Sequence, residues 1–212
     1  MPASAPPTFA LHSIRDALAL HHPQSIAPEP RDHSAAVALV LAGGSDLSLC
    51  VIRRAERADD PWSGHLAFPG GRQDPGDRDS QATAERETLE EVGLDVRRGE
   101  FLGALSQVLV RGRVPGWRMI LSPFVYSLGE TKPPFATSDE VAAAFWVPLT
   151  ELWSASNASR FEWERSDGRQ NYPAVRIGDG VLWGLTFRVL TLFSDVLDAP
   201  LPHLEDPPGL GM

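Results

Sequence analysis

The stretch SQATAERETLEEVGL, residues 80–94, decides how the rest of the chain is read. Asp79 or Ser80 can accept from the first amides of a helix, and Gly93 suits the left-handed position just past its end. At about 100° per residue Ala82, Leu89 and Val92 share one side of that helix, with Glu85 intruding, while Glu87, Glu90 and Glu91 share the opposite one. Three glutamates inside about one turn repel one another by a few tenths of a kcal/mol per pair, roughly. Glu90 and Glu91 also stand at the negative end of the helix dipole, where a carboxylate costs about 0.3–1 kcal/mol. A hard divalent cation, Mg²⁺ or Mn²⁺, takes oxygen ligands between carboxylates and phosphates and would reverse both penalties. On charge spacing alone a solvated acidic face is the simpler reading.

Upstream, AAVALVLAGG (35–44) reads as a buried strand, and LSLCVIRR (47–54) pairs with it as a hairpin through Gly43 to Asp46. Residues 59–79 are dense in Gly, Pro and Asp and form no long element. Downstream, FLGALSQVLV (101–110) and WRMILSPFVYSL (117–128) read as two strands joined by the basic turn from Arg111 to Gly116. VAAAFWVPL (141–149) is a strand running into a short helix, and VLWGLTFRVLTLFSDVL (181–197) has helical spacing. Leu11, Ile14, Leu18 and Leu20 fit one face of a short helix inside a loose segment 1–30. Residues 31–200 form the main domain and 201–212 a flexible tail. A mixed sheet with a few helices predicts an α/β (α+β) fold in three layers, helix, sheet and helix.

At 212 residues the chain suits one core. Its net charge of −9 opposes nucleic acid or an anionic membrane as partner, since either needs a broad basic surface. Cys50, the one cysteine, lies in an apolar run and reads as a buried, inert thiol in a reducing, cytoplasmic setting. No apolar stretch approaches the roughly 20 residues that span a bilayer.

FPGGRQDPGDRDSQATAERETLEEVGL, residues 68–94, resembles the box of the Nudix hydrolases: a glycine loop, an acidic residue, then Arg-Glu, Glu-Glu and a closing glycine. Arg86 to Leu94 matches the second half, with Thr88 at a usually apolar place. Gly71 lies one residue further from Arg86 than in the ordinary box, as in the family's coenzyme A branch, and Asp77 stands near the usual glutamate. The resemblance implies a Nudix-type α/β/α sandwich and hydrolysis of a diphosphate linkage. It gives Glu87, Glu90, Glu91 and the Gly71 carbonyl to the metal, a catalytic part to Glu90 and Glu91, and to Arg86 the bracing of the glutamates. A further carboxylate outside the box is expected, with Asp139 and Glu140 as candidates, Glu140 foremost.

Residues 53–71, RRAERADDPWSGHLAFPGG, resemble the segment preceding the box in coenzyme A diphosphatases through Arg54-Ala55 and residues 64–71. That motif's second arginine is absent from its place, where Arg57 substitutes. NYPAVRIGDGVLWGLTFRVLTLF (171–193) resembles the same enzymes' C-terminal segment, an aromatic-rich strand leading through Trp-Gly into the last helix. Coenzyme A, with its 3'-phosphate, asks for cations beyond the metal, and Arg53, Arg54, Arg57, Arg72, Arg111, Arg113 and Arg118 are the candidates. Trp62, Trp117 and Trp183 can stack on an adenine or fill the core, and His65 reads as a packing residue. The expected partner is a small nucleotide-like diphosphate, with a homodimer allowed. The implied products are phosphopantetheine and adenosine 3',5'-bisphosphate. The alternatives are a broader hydrolase of ADP-ribose, sugar nucleotides or nucleoside triphosphates, and a non-catalytic nucleotide sensor, which the intact glutamates disfavour.

Overall fold

Strand β1 (His33–Ala42) runs through the middle of the molecule, and its alternating side chains define both layers around it. The computed structural model describes residues 7–58, 62–112, 114–165, with the Arg165 side chain excepted, and 168–202. Ala35, Leu39 and Leu41 face one core, shared with Ile14 and Leu18 of α1 (Leu11–Leu20) and Val189, Leu190 and Phe193 of α4 (Gly184–Val196). Ala36, Ala38 and Val40 face a second core, shared with Ala84 and Val92 of α2 (Ser80–Val92). A sheet buried on both faces by helices is the predicted three-layer sandwich.

The central sheet is mixed. β7 (Arg118–Ser127) lies parallel to β1, with His33 opposite Met119 and Leu41 opposite Ser127. β2 (Ser48–Arg54) returns antiparallel as the expected hairpin, though the two strands pair only at Leu41–Leu49 and Ala42–Ser48. β8 (Val141–Pro148) flanks β2 and runs directly into α3 (Leu149–Leu152), as its sequence predicts. Two short strands, β3 (Leu66–Ala67) and β4 (Gly70–Arg72), pair with β2 and β1, so the glycine loop is threaded into the sheet. Among the described residues a second sheet of β9 (Ala158–Arg165), β10 (Gly168–Ile177) and β11 (Gly180–Trp183) completes the fold.

Several local expectations change. Residues 101–110 form two strands, β5 (Glu100–Ala104) and β6 (Val108–Arg111), both antiparallel to β7. The break falls where the N-terminal segment docks: Gln24 N–H donates to Ser106 Oγ at 3.0 Å and Ile26 N–H to Gln107 Oε1 at 2.7 Å. The last helix starts at Gly184, because residues 181–183 pair with β10 as a strand. Leu20 is exposed rather than on the packed face of α1. The expected tail 201–212 falls almost wholly outside the described residues, as do the first six residues of the segment 1–30. Within that segment Phe9 packs edge-on against Trp153 at 4.7 Å. No described helix is long and apolar enough to cross a membrane. Cys50 is fully buried, and burial pushes its thiol well above the ordinary range, as an inert thiol requires.

The largest correction concerns α2. Its buried side is Thr83, Ala84, Thr88, Glu91 and Val92, whereas Leu89 is 40% exposed. Small side chains on the helix meet Ala36 and Ala38 of β1, and close packing of helix on sheet leaves no room for leucine there. Both caps form as read: Asp79 accepts from Ala82 N–H at 2.8 Å, and Gly93 stops the helix at φ 73°. A Cβ on Gly93 would sit 2.8 Å from the Ala136 Cβ. Gly93→Ala is therefore expected to lower stability by about 1–3 kcal/mol. In urea titrations the midpoint should fall with the slope unchanged; an unmoved midpoint would contradict the left-handed cap.

Candidate active site

The glycine loop reaches α2 because β4 is a strand. Pairing of Gly71 with Ala36 in the sheet lays the loop backbone against the helix, and Gly70 N–H donates to Glu91 Oε2 at 2.9 Å. A Cβ at Gly71 would fall on the Glu87 carboxylate, so any other residue there would push that side chain off the loop backbone. Two glutamates of the helix are thus held against bare backbone.

Glu91 is 5% exposed. Burial pushes its carboxyl up to about 7; the Gly70 amide and Arg54 pull it down, while Glu87 and Glu140 push it further up. Glu87 is raised too, first by burial, with Arg86 opposing. Glu90 lies on the exposed side, turned towards Arg86. The Arg86 guanidinium joins the set: Nη1 donates to Glu87 Oε1 and Glu90 Oε2, each at 3.0 Å, while Nε and Nη2 donate to the two Asp77 oxygens, each at 2.9 Å. Nη2 also reaches the Arg72 carbonyl at 3.2 Å. Asp77 accepts in addition from Asp74 N–H and Thr83 Oγ1, and the Arg86 fork holds its carboxyl well below the usual range. In the sequence Asp77 stands near the box glutamate with no partner in view. Its partner nine residues on is visible only once the loop folds back on the helix.

Glu140 comes into the same neighbourhood through backbone. Ala55 N–H donates to the Glu140 carbonyl at 2.8 Å, and Ser138 N–H to that of Glu91 at 3.0 Å. Arg57 Nη1 pairs with Glu140 Oε1 at 3.1 Å, both side chains being exposed. Of the other arginines read as substrate ligands, Arg54 is half-buried and near enough to Glu91 to act on its charge. Arg72 is exposed beside Gly71 in β4. Arg111 ends β6 opposite Arg118, and Arg118 is turned to Asp32 and Glu29. Arg113 lies outside the described residues. Arg53 points to the other face of β2, paired with Asp179.

Among the described residues no three His, Cys, Asp or Glu side chains are gathered tightly enough to form a ready metal cage. Arg86 Nη1 occupies the space between Glu87 and Glu90. The donor chemistry fits a hard divalent ion all the same: Glu91 is a buried and Glu87 a partly buried carboxylate, both with raised pKa, beside a bare glycine backbone.

The NUDIX domain model matches residues 31–167. The chain belongs to the Nudix hydrolase family. It is 30% identical over 197 residues to an uncharacterized Nudix hydrolase, NudL, of Pectobacterium atrosepticum, covering 92% of this chain and 100% of the relative. It is 32% identical to the human mitochondrial coenzyme A diphosphatase NUDT8, over 80% of this chain and 71% of that one. An uncharacterized Schizosaccharomyces pombe protein is 36% identical over 129 residues, which are 58% of this chain but only 39% of the yeast protein. Among solved structures, a MutT/nudix family protein from Enterococcus faecalis has the same fold, with a TM-score of 0.52 and 16% identity over 90% of this chain and 70% of that one. This Nudix chain is a hydrolase of diphosphate-linked substrates, in a family that uses divalent metal ions.

The Asp77–Arg86 pair gives a test independent of substrate. Asp77→Asn removes the charge that faces a guanidinium only 25% exposed and one of its two fork acceptors, and should cost about 2–3 kcal/mol, somewhat less than for a fully buried pair. Because the Asp77 carboxyl is depressed in the folded protein, its contribution is complete above the ordinary value of 3.8 and is lost as pH falls through the folded value. Urea unfolding of wild type and variant should show a constant gap at neutral pH that narrows in acid. A gap unchanged into strong acid would contradict the pairing.

Proposed function

We propose that this Nudix hydrolase cleaves the diphosphate of coenzyme A or its derivatives, releasing phosphopantetheine and adenosine 3',5'-bisphosphate. The observation that carries the reading is the Glu87–Glu91 pair held under the glycine bend, with Arg54, Arg57 and Glu140 drawn beside it from outside the box. Glu87, Glu90, Glu91 and the Gly71 carbonyl would hold Mg²⁺ or Mn²⁺. An ion bound there supplies neutralising charge for the diphosphate and acidifies water. Arg86, anchored by Asp77, fixes where the glutamates stand. Arg54 attracts the diphosphate, with Arg57, Arg72, Arg111 and Arg113 as further phosphate ligands. Glu140, positioned by Arg57, would take the proton that the attacking water gives up.

Support for coenzyme A is the upstream segment with Arg54-Ala55 and residues 64–71, together with similarity to a relative named as a coenzyme A diphosphatase. A broader nucleoside-diphosphate activity has its own support in the missing second arginine of that segment. The two readings separate in one experiment. With Mg²⁺ or Mn²⁺ the protein should release phosphopantetheine from coenzyme A faster than it cleaves ADP-ribose, and chelation should stop both. Glu91→Gln should lower turnover by orders of magnitude with its unfolding midpoint retained. Cleavage of ADP-ribose without any of coenzyme A would overturn the substrate; an undiminished Glu91→Gln rate would overturn the metal assignment.

A further inference from the structure

A cleft of about 540 Å³ lies on the other flank of α2 from Glu87 and Glu91, between the helix and the sheet edge at β5. Gln81, Ala82 and Glu85 of the helix form one wall, and Phe101 of β5 and Tyr126 of β7 the other. Tyr126 is buried, whereas Phe101, its ring centroid 5.3 Å from that of Tyr126, is 46% exposed. The cleft therefore has an aromatic wall that a ligand can reach. Its volume is in the range that small molecules occupy.

Charge in the cleft is balanced everywhere but at Glu85. Asp77, Arg78 and Arg97 line it too, and each is paired, with Arg86, Asp79 and Asp95 in turn. Glu85 has no ion pair among the described residues; Arg97 and Glu85 feel one another only as charges, because Arg97 Nε is bound to Asp95 Oδ1 at 2.8 Å. Gln81 Nε2 and the Tyr126 hydroxyl both donate to Glu85 Oε1, at 3.0 and 3.1 Å. Burial, and then the Glu85 charge, push the Tyr126 hydroxyl well above its ordinary range, so it keeps the proton it donates. Two donors fill the lone pairs of Oε1, and among the described residues none reaches Oε2. An unpaired carboxylate oxygen beside an open ring complements a cation, since the oxygen takes an N–H and the ring face attracts positive charge. Ala82 and Val96 add apolar surface against which a stem can lie.

We propose that this cleft binds a small primary amine with an apolar stem, its ammonium on Glu85 Oε2 and over the Phe101 ring. The site is separate from that of the diphosphate and does not rest on the diphosphate reading. Phenethylammonium, titrated into the full chain at neutral pH and followed by NMR, should shift the amide signals of residues 81–85 and 99–101 saturably. The alcohol 2-phenylethanol, with the same stem and no charge, should bind about tenfold more weakly. Glu85→Gln keeps an acceptor for Tyr126 and Gln81 but removes the charge, and should weaken the amine about tenfold. Phe101→Leu, at a half-exposed ring whose loss the fold tolerates, should weaken it about threefold. Equal binding of amine and alcohol, an amine affinity that either substitution leaves unmoved, or saturable shifts confined to other parts of the chain would overturn the site.

Discussion

The approach of bare glycine backbone to an acidic helix is the contact on which the molecule is organised. The Gly70 amide holds Glu91 Oε2, and the absence of a side chain on Gly71 lets the Glu87 carboxylate lie against the loop. That contact exists because β4 pairs with β1 in the sheet beneath α2. It takes the Glu91 carboxylate out of water and partly buries that of Glu87, with only partial compensation, since Arg86 is largely engaged by Asp77. Stability is forgone locally, as functional sites commonly require. The raised pKa values of Glu87 and Glu91 are the electrostatic signature of that strain.

The termini of α2 were legible because caps are local chemistry, and Asp79 and Gly93 act where their residue types predict. Which face it buries was not. Hydrophobicity points Leu89 inward, but the facing strand offers Ala36 and Ala38, and a helix meeting so flat a surface packs through Thr83, Ala84 and Thr88. Thr88, out of place in the box by hydrophobicity, satisfies its hydroxyl on the Ala84 carbonyl at 2.6 Å. Rotating the helix this way is what buries Glu91. Glu85 is likewise no flaw in an apolar face, since it accepts from the hydroxyl of the buried Tyr126 at 3.1 Å.

Partners distant in sequence explain the other misreadings. Alternation continues through residues 101–110, yet the strand breaks where Gln107 bonds Gln24, Ile26 and Ser122. Competition from a segment some 80 residues away leaves no local trace. Arg118 is similar: within a basic turn it resembles a phosphate ligand, and folded it satisfies Asp32, whose side chain is 4% exposed. Charge type is readable from sequence, whereas allegiance among charges is set by the fold.

Under the proposed function, chemistry and selectivity lie on different segments. The glutamate helix and glycine bend offer carboxylates and bare backbone, donors that suit a metal and a diphosphate of any kind. Residues 53–65 are different: they carry Arg54 towards Glu91, Arg57 towards Glu140, Trp62 against Trp183 and His65 against Phe161. A chain of net charge −9 repels phosphates in general, so a substrate must gain attraction close to the site. Substitutions in this segment should therefore move selectivity among diphosphates more than they move the rate of bond cleavage, whereas substitutions in the helix should lower the rate for every substrate alike.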